Sequence, residues 1–226
     1  PWKTILIKKG QTLSFGERKL GLRAYLAVAG GFNGQVDLGS CSSYLKANMG
    51  GINGREVQKG DILFRKSESR LHSELRRVSP QLLSIYEEKK PFRVIMGPDL
   101  EFFTNEGIAT FFSNPYKVTA DIDRMGCRLA GPTVEHKQKA DILSDAITFG
   151  TIQVPKNGQP IILLADRQTS GGYARIGTVI SVDLPRLVQQ VPGTEIWFEQ
   201  ISVEEAQLLY IEQRQTLKRL SLAAIK

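Results

Sequence analysis

Residues 161–173 read IILLADRQTSGGY, and the change of character within this stretch decides the fold. Ile161 to Ala165 make an uninterrupted apolar run, a strand's worth of chain bounded by polar residues. A buried strand that breaks off into Asp166, Arg167, Gln168, Thr169 and Ser170 sets polar side chains at the mouth of a core. Asp166 can accept from an amide N–H, Gln168 can donate and accept, and Thr169 and Ser170 add hydroxyls. Gly171-Gly172 leaves backbone N–H groups open to close approach by a ligand. Such a set suits a small amide whose carbonyl oxygen gains charge. A Gly-Gly hairpin accounts for the same residues on structural grounds alone.

Strand signals continue on both sides. Phe92 to Met96, Tyr116 to Ala120, Thr178 to Val182 and Glu195 to Ile201 read as strands. GPDLEFFTNEG reads as a short helix with Asp99 near its start, and Asp183 before LPRLVQQ as the cap of another, ended by VPG. Ser202 and Glu205 form an S-x-x-E capping box. The helix it opens places Ala206, Leu209, Leu217 and Leu220 near one face, with Gln213 an imperfect member. That helix either docks on the fold or binds a partner.

Residues 66–91 are the most polar stretch, with Pro80 and Pro91 as breakers, and read as a linker. Before it, Thr4 to Lys8, Arg23 to Ala29 and Asp61 to Phe64 carry strand-type residues between many glycines, as in tight β-barrel corners. The expected organisation is a first β unit over 1–80 and a second over 92–226. The chain opens on Pro1 directly in a strand-like alternation, the look of a fragment.

With 226 residues, 41% hydrophobic and 23% charged, the chain can build a sizeable core, and wholesale disorder is excluded. Its longest apolar run falls far below the ~18 residues of a membrane span. No charged-then-apolar leader opens it. Two cysteines, Cys41 and Cys127, are too few for a disulfide framework, and the reading is a cytoplasmic protein. The net charge of +7 is spread along the chain in short clusters such as Arg76-Arg77. That pattern favours a solvated surface or a small-anion site over nucleic acid.

Familiar catalytic signatures are absent: there is no phosphate loop, no G-x-G-x-x-G behind a strand, no G-x-S-x-G and no H-E-x-x-H. His72 and His136 both stand in polar runs and read as exposed, and no metal site is expected. A second segment stands out, DIDRMGCRLAG at 121–131. Arg124 and Arg128 supply planar forks that match a carboxylate or phosphate. Alternatively, they pair with Asp121 and Asp123 and stitch the loop.

GLRAYLAVAGG (21–31), LGSCSSY (38–44), GGINGREVQKGDIL (50–63), DRMGCRLAG (123–131), DAITFGTIQVP (145–155) and ADRQTSGGYARIGTVISVDLPRLVQQVPG (165–193) occur in an order that resembles the KipA family. That family also goes under the names of the 5-oxoprolinase C subunit, allophanate hydrolase subunit 2, and the biotin-dependent carboxyltransferase family. The resemblance implies a mainly β fold with a few short helices, cyclophilin-like β-barrel units and a C-terminal capping helix. It also implies an upstream segment, with this chain as the C-terminal two-thirds.

In function, the resemblance implies a subunit of a multi-component, ATP-dependent 5-oxoprolinase. Such an enzyme opens the lactam of 5-oxo-L-proline to L-glutamate with a KipI-type subunit and a LamB/YcsF-type component. ATP would sit on a partner or at an interface, and the chain alone would be inactive. Two alternatives come with the family: antagonism of a KipI-type histidine-kinase inhibitor in sporulation control, and biotin-dependent carboxyl transfer. The residues carried over are Asp166, Gln168 and Thr169 as catalytic, and Arg124, Arg128, Gly171, Gly172 and Tyr173 as substrate-binding. Cys41-Ser42-Ser43 and Cys127 depart from the family pattern, so no residue near 40–43 is assigned. The reading requires Arg124, Arg128 and Gly171 to meet in one pocket.

Overall fold

The structure, a computed structural model, describes residues 2–67, 76–80, 83, 86 and 88–223. His72 and much of the expected linker lie outside the described residues. The chain divides into two compact units: Pro1–Lys3, Ile7–Arg23 and Arg77–Lys226 form one, and Thr4–Leu6 with Ala24–Arg76 the other.

The larger unit carries strands β1 (Phe92–Met96), β2 (Tyr116–Ile122), β3 (Gly126–Ala130), β4 (Asp141–Ala146), β5 (Thr151–Gln153), β6 (Ile161–Leu163), β7 (Ser170–Tyr173), β8 (Arg175–Val179), β9 (Glu195–Ile196) and β10 (Phe198–Gln200). Eight of them form one sheet in the order β10-β1-β8-β5-β6-β3-β2-β9, antiparallel except where β1 meets β10. Its two edges, β9 and β10, are consecutive and separated only by Trp197, so chain continuity brings the edges together and nearly closes a barrel. Strands β4 and β7 pair separately as a two-stranded ribbon.

Alternation along the strands builds the interior. Tyr116 and Val118 of β2, Cys127 and Leu129 of β3, and Ile162 of β6 point inward and are buried, while Lys117 and Arg128 point out. Each large apolar side chain buried this way is worth about 1.5–3 kcal/mol. Helix α1 (Asn105–Ser113) plugs one end. Thr104 caps it, accepting from Gly107 N–H at 2.8 Å, and Phe111 stacks on Phe198 with ring centroids 4.6 Å apart. A Cβ on Gly107 would meet Glu135 O at 2.5 Å, so glycine there lets the helix sit against the chain.

Helix α2 (Leu184–Leu187) follows Asp183 as expected, but Asp183 makes no cap bond. Its carboxylate is taken by Arg93, whose N–H, Nε and Nη2 donate at 2.9, 3.0 and 2.6 Å. Likewise Asp99 begins only a 3-10 turn, Leu100–Phe102, and gives its carboxylate to Arg175. In both cases a distant arginine outcompetes the local amide. Helix α3 (Val203–Ala223) has the expected capping box: Ser202 Oγ accepts from Glu205 N–H at 3.2 Å, and Glu205 Oε2 accepts from Ser202 N–H at 3.2 Å. Ala206 is buried, yet Leu217 and Leu220 of the same stripe are exposed. No helix among the described residues is long and apolar enough to cross a membrane.

Other expectations shift. β8 begins at Arg175, before the expected Thr178, and the strand expected over 195–201 is broken at Trp197. His136, read as exposed, is half-buried: its ring lies 4.9 Å from Phe103 and Nε2 is 3.0 Å from Val154 O.

The smaller unit has few regular elements among its described residues: a 3-10 turn at Leu45–Ala47 and isolated bridges such as Phe32↔Arg65 and Tyr44↔Met49. Among the described residues, the segments expected as strands at 4–8, 23–29 and 61–64 form no ladder. Alternation makes a segment suitable for a sheet, but the hydrogen bonds must come from a neighbouring strand. Within this unit Arg55 forks onto Asp61 at 2.7 and 2.8 Å; that fork and the Gln58 N–H hold the Asp61 carboxyl down at about 2.

Candidate functional site on the barrel wall

Register decides which side chains meet. Cys127, Ile162 and Ile152 oppose one another across β3, β6 and β5 and all point into the core. Their neighbours Arg128, Ile161 and Gln153 are also in register, so these three share the outer face as one transverse row, continued by Arg175 of β8. At the usual strand spacing, Arg128 and Gln153 stand about 10 Å apart across Ile161. Arg128 is exposed, and its side chain makes no ion pair among the described residues.

One end of this face is closed by a turn. Asp123 Oδ1 accepts from Met125 N–H at 2.7 Å and Gly126 N–H at 2.9 Å, which tightens the β2–β3 connection. Beyond β3 and β6 the ladder continues, with Leu164 N–H donating to Met125 O and Asp166 N–H to Arg124 O, both at 2.8 Å. That brings the two segments singled out in the sequence together. Arg124 forks onto Asp166, Nε to Oδ2 at 2.8 Å and Nη2 to Oδ1 at 3.1 Å. The pairings with Asp121 or Asp123 that the sequence allowed are not found among the described residues. Arg23 steadies the same turn, donating to Asp123 O at 3.1 Å and to Val188 O, while Gln189 Oε1 accepts from the Leu22 and Arg23 N–H groups at 2.8 Å. Behind it, burial pushes the Cys127 thiol up to about 12, against a smaller opposing influence of Arg23, so this cysteine stays protonated and inert.

The β4–β7 ribbon closes the other side. Gly171-Gly172 is not a hairpin turn: both glycines lie inside β7, opposite β4, with ordinary backbone angles. Gly171 lets the Gln153 carboxamide pack close: a Cβ there would stand 2.4 Å from Nε2, and the side-chain end would have to move aside. Gln153 is therefore only 4% exposed, and its Nε2 donates to Tyr173 O at 3.2 Å. Arg175 ties the ribbon down. It forks onto Asp99 at 2.6 and 3.1 Å, reaches Asp145 at 2.8 Å and donates to Ala146 O at 2.8 Å. Asp99 and then Asp145 hold its guanidinium above the ordinary value, despite partial burial. Gln168, Thr169 and Tyr173 lie on the connecting loop and ribbon, towards solvent, and Ile147 N–H donates to Thr169 O at 3.1 Å.

The sequence reading missed Gln153, Arg175, Asp99 and Arg23. A glutamine between Ile152 and Val154 is a weak signal for Gln153, and its place beside Gly171 has no local signature. Arg175 and Asp99, 76 residues apart, leave no local signal.

No group of three His, Cys, Asp or Glu side chains among the described residues can hold a metal ion. Nor do the helix starts fit a polyphosphate: α1 carries Glu106 in its first turn, α3 carries Glu204 and Glu205, and α2 has four residues behind Asp183.

Comparison with known proteins agrees with this architecture. The carboxyltransferase domain, subdomain A and B, matches residues 1–200. The chain is 40% identical to the C subunit of 5-oxoprolinase from Haemophilus influenzae and 37% to its counterpart from Escherichia coli, over 200 residues in each case. Each alignment covers 88% of this chain and 63% of the relative, so the chain spans 63% of the length of these curated relatives. Among solved structures, the K. lactis urea amidolyase superimposes with a TM-score of 0.75 at 27% identity, covering 88% of this chain and 13% of that one. The match over residues 1–200, with the nearly closed barrel in agreement, places the chain in the carboxyltransferase-domain family, subdomains A and B.

Proposed function

We propose that this chain is the substrate-handling part of a multi-component, ATP-dependent 5-oxoprolinase, which opens the lactam of 5-oxo-L-proline to L-glutamate. The observation that carries the reading is the shared outer face, with Arg128 at one end of a row, Gln153 under Gly171 at the other, and the Arg124–Asp166 pair closing its edge. The identity with the C subunits of two bacterial 5-oxoprolinases supports it.

In this reading the substrate carboxylate lies on the Arg128 fork, since the Arg124 fork is already occupied by Asp166. The lactam ring rests on Ile161, near the backbone of Gly171 and Gly172. Asp166, oriented by the Arg124 fork, accepts the proton of the water that attacks the lactam carbonyl and returns it to the departing nitrogen. Gln168 and Thr169 supply the neutral donors for charge developing on the carbonyl oxygen, each well-placed donor being worth about 3–4 kcal/mol. Tyr173 flanks the ribbon end of the ring. Among the described residues the helix starts do not fit a polyphosphate, so ATP is assigned to a KipI-type or LamB/YcsF-type partner and no step here passes through it.

The test is reconstitution of the full-length protein with those partners, ATP and 5-oxoproline, followed by glutamate release. Release that depends on all components and is abolished by Asp166→Asn agrees with the reading. Carboxylation of substrate from a biotinylated carrier, without lactam opening, would replace it with carboxyl transfer. A stable complex with the KipI-type protein but no turnover would replace it with a regulatory role.

A further inference from the structure

We infer that Gln153 is a specificity residue that presents Oε1 as the acceptor for the substrate's N–H, its carboxamide seated in the space left by the missing side chain of Gly171. This inference deepens the proposed function and rests on it for the identity of the substrate.

Three observations carry it. First, Gln153 is a carboxamide almost wholly buried on the outer wall of the barrel, with only one of its two ends used. Nε2 donates to Tyr173 O at 3.2 Å, which fixes the amide plane, and Oε1 accepts no hydrogen bond among the described residues. Second, no fully buried side-chain polar atom among the described residues lacks a partner, so Oε1 retains access to solvent. An amide with a fixed orientation and one open acceptor is preorganised for a donor arriving from outside. Third, the strand above it carries Gly171, where any Cβ would collide with the carboxamide at 2.4 Å, while a Cβ on Gly172 would stand 3.6 Å from Ser144 Oγ, in ordinary contact. The tight approach is to Nε2, the end already bonded to Tyr173 O, while Oε1 stands farther from that position, at 3.3 Å. A lactam or urea-type amide offers an N–H at its edge, whereas the corresponding lactone offers only a ring oxygen. That oxygen would face Oε1 lone pair to lone pair. Selectivity for the amide therefore follows from Gln153, while the carboxylate contact at Arg128 is common to both ligands.

The experiment compares 5-oxoproline with its isosteric lactone, 5-oxotetrahydrofuran-2-carboxylate, by calorimetric binding to the full-length protein in its reconstituted complex. Wild type is expected to prefer the lactam by about tenfold to a hundredfold. Gln153→Met, which keeps volume and loses the acceptor, brings the ratio to within about threefold. Gly171→Ala does the same by displacing the flexible carboxamide, and serves if the methionine variant folds poorly. A lactam preference that survives in both variants overturns the inference, as does an equal loss of both ligands. Glutamate release by wild type is measured alongside. Preserved lactam selectivity without turnover would remove the enzymatic reading and leave the acceptor assignment standing; turnover with unchanged selectivity in the variants would do the reverse.

Discussion

Arg124 and Asp166 lie 42 residues apart in the chain and meet as a fork on a carboxylate, with contacts of 2.8 and 3.1 Å. Their side chains are 54% and 24% exposed, so the pair contributes at most about 1 kcal/mol to folding. Such geometry at the edge of a polar face is worth more to a ligand than to the fold. Asp166→Asn is expected to leave Tm within about 3 °C of wild type while lowering glutamate release by the reconstituted complex about 100-fold or more. A loss of activity that merely tracks a loss of Tm would reduce the pair to a stitch between two loops.

Arg128 stands at the exposed end of the transverse row without an ion-pair partner among the described residues. Arg128→Ala should therefore raise KM for 5-oxoproline about tenfold to a hundredfold with a smaller change in kcat, and leave Tm unchanged. Arg128→Lys keeps the charge but not the fork, and should recover only part of the loss. Steady-state kinetics of both variants decides; full recovery by lysine would mean that charge alone suffices.

These two arginines also show where sequence reasoning stops. Both were visible as anion-binding candidates, since a guanidinium four residues from another at a glycine-bounded turn is a local pattern. The partner of Arg124 was not. The sequence offered Asp121 and Asp123, but Asp123 caps its own turn through Met125 and Gly126, and the fork goes to Asp166 across the ladder. The same rule holds for Asp183, before α2, and for Asp99, before a 3-10 turn and not the helix expected there: both carboxylates are drawn off, by Arg93 and Arg175. Strands such as Phe92–Met96 were legible from alternation; Thr4 to Lys8 had equal alternation, and among the described residues it begins an antiparallel pairing only at its start, where Lys3 bridges Arg77 and Thr4 N–H donates to Arg76 O. Gly171-Gly172 was legible as a close approach. What approached it, Gln153, depended on register, which no local pattern encodes.

Asp183 provides a stability test away from the candidate site. Its side chain is 5% exposed and receives three donors from Arg93, while Arg186 packs its guanidinium 3.9 Å from the Phe92 ring centroid. Removing the carboxylate strands charge that burial has desolvated, so Asp183→Ala should cost about 3–5 kcal/mol. For a chain of this size that lowers Tm by roughly 10 °C or more. Chemical denaturation of the full-length protein measures it, and a cost under about 1 kcal/mol would mean that Arg93 finds another acceptor.

His136 makes stability depend on pH in a definite direction. Burial lowers its pKa below the ordinary 6.5, against smaller raising influences from Val154 O and Asp141. The Nε2–H donates to Val154 O at 3.0 Å and the ring lies on Phe103, so the folded state holds the neutral form. Below 6.5 the unfolded chain binds this proton before the folded protein does, and stability must fall with it. The contribution is fully present above 6.5 and is lost as pH drops through the lowered folded value. Tm is thus expected to decline in wild type as pH falls below 6.5. His136→Gln can still donate to Val154 O but cannot titrate, and should flatten the slope over that window. Asp61, held down at about 2, titrates far below the window and leaves it clear of that group. Equal slopes for variant and wild type between pH 5 and 6.5 would show that His136 takes up its proton without leaving its place against Phe103.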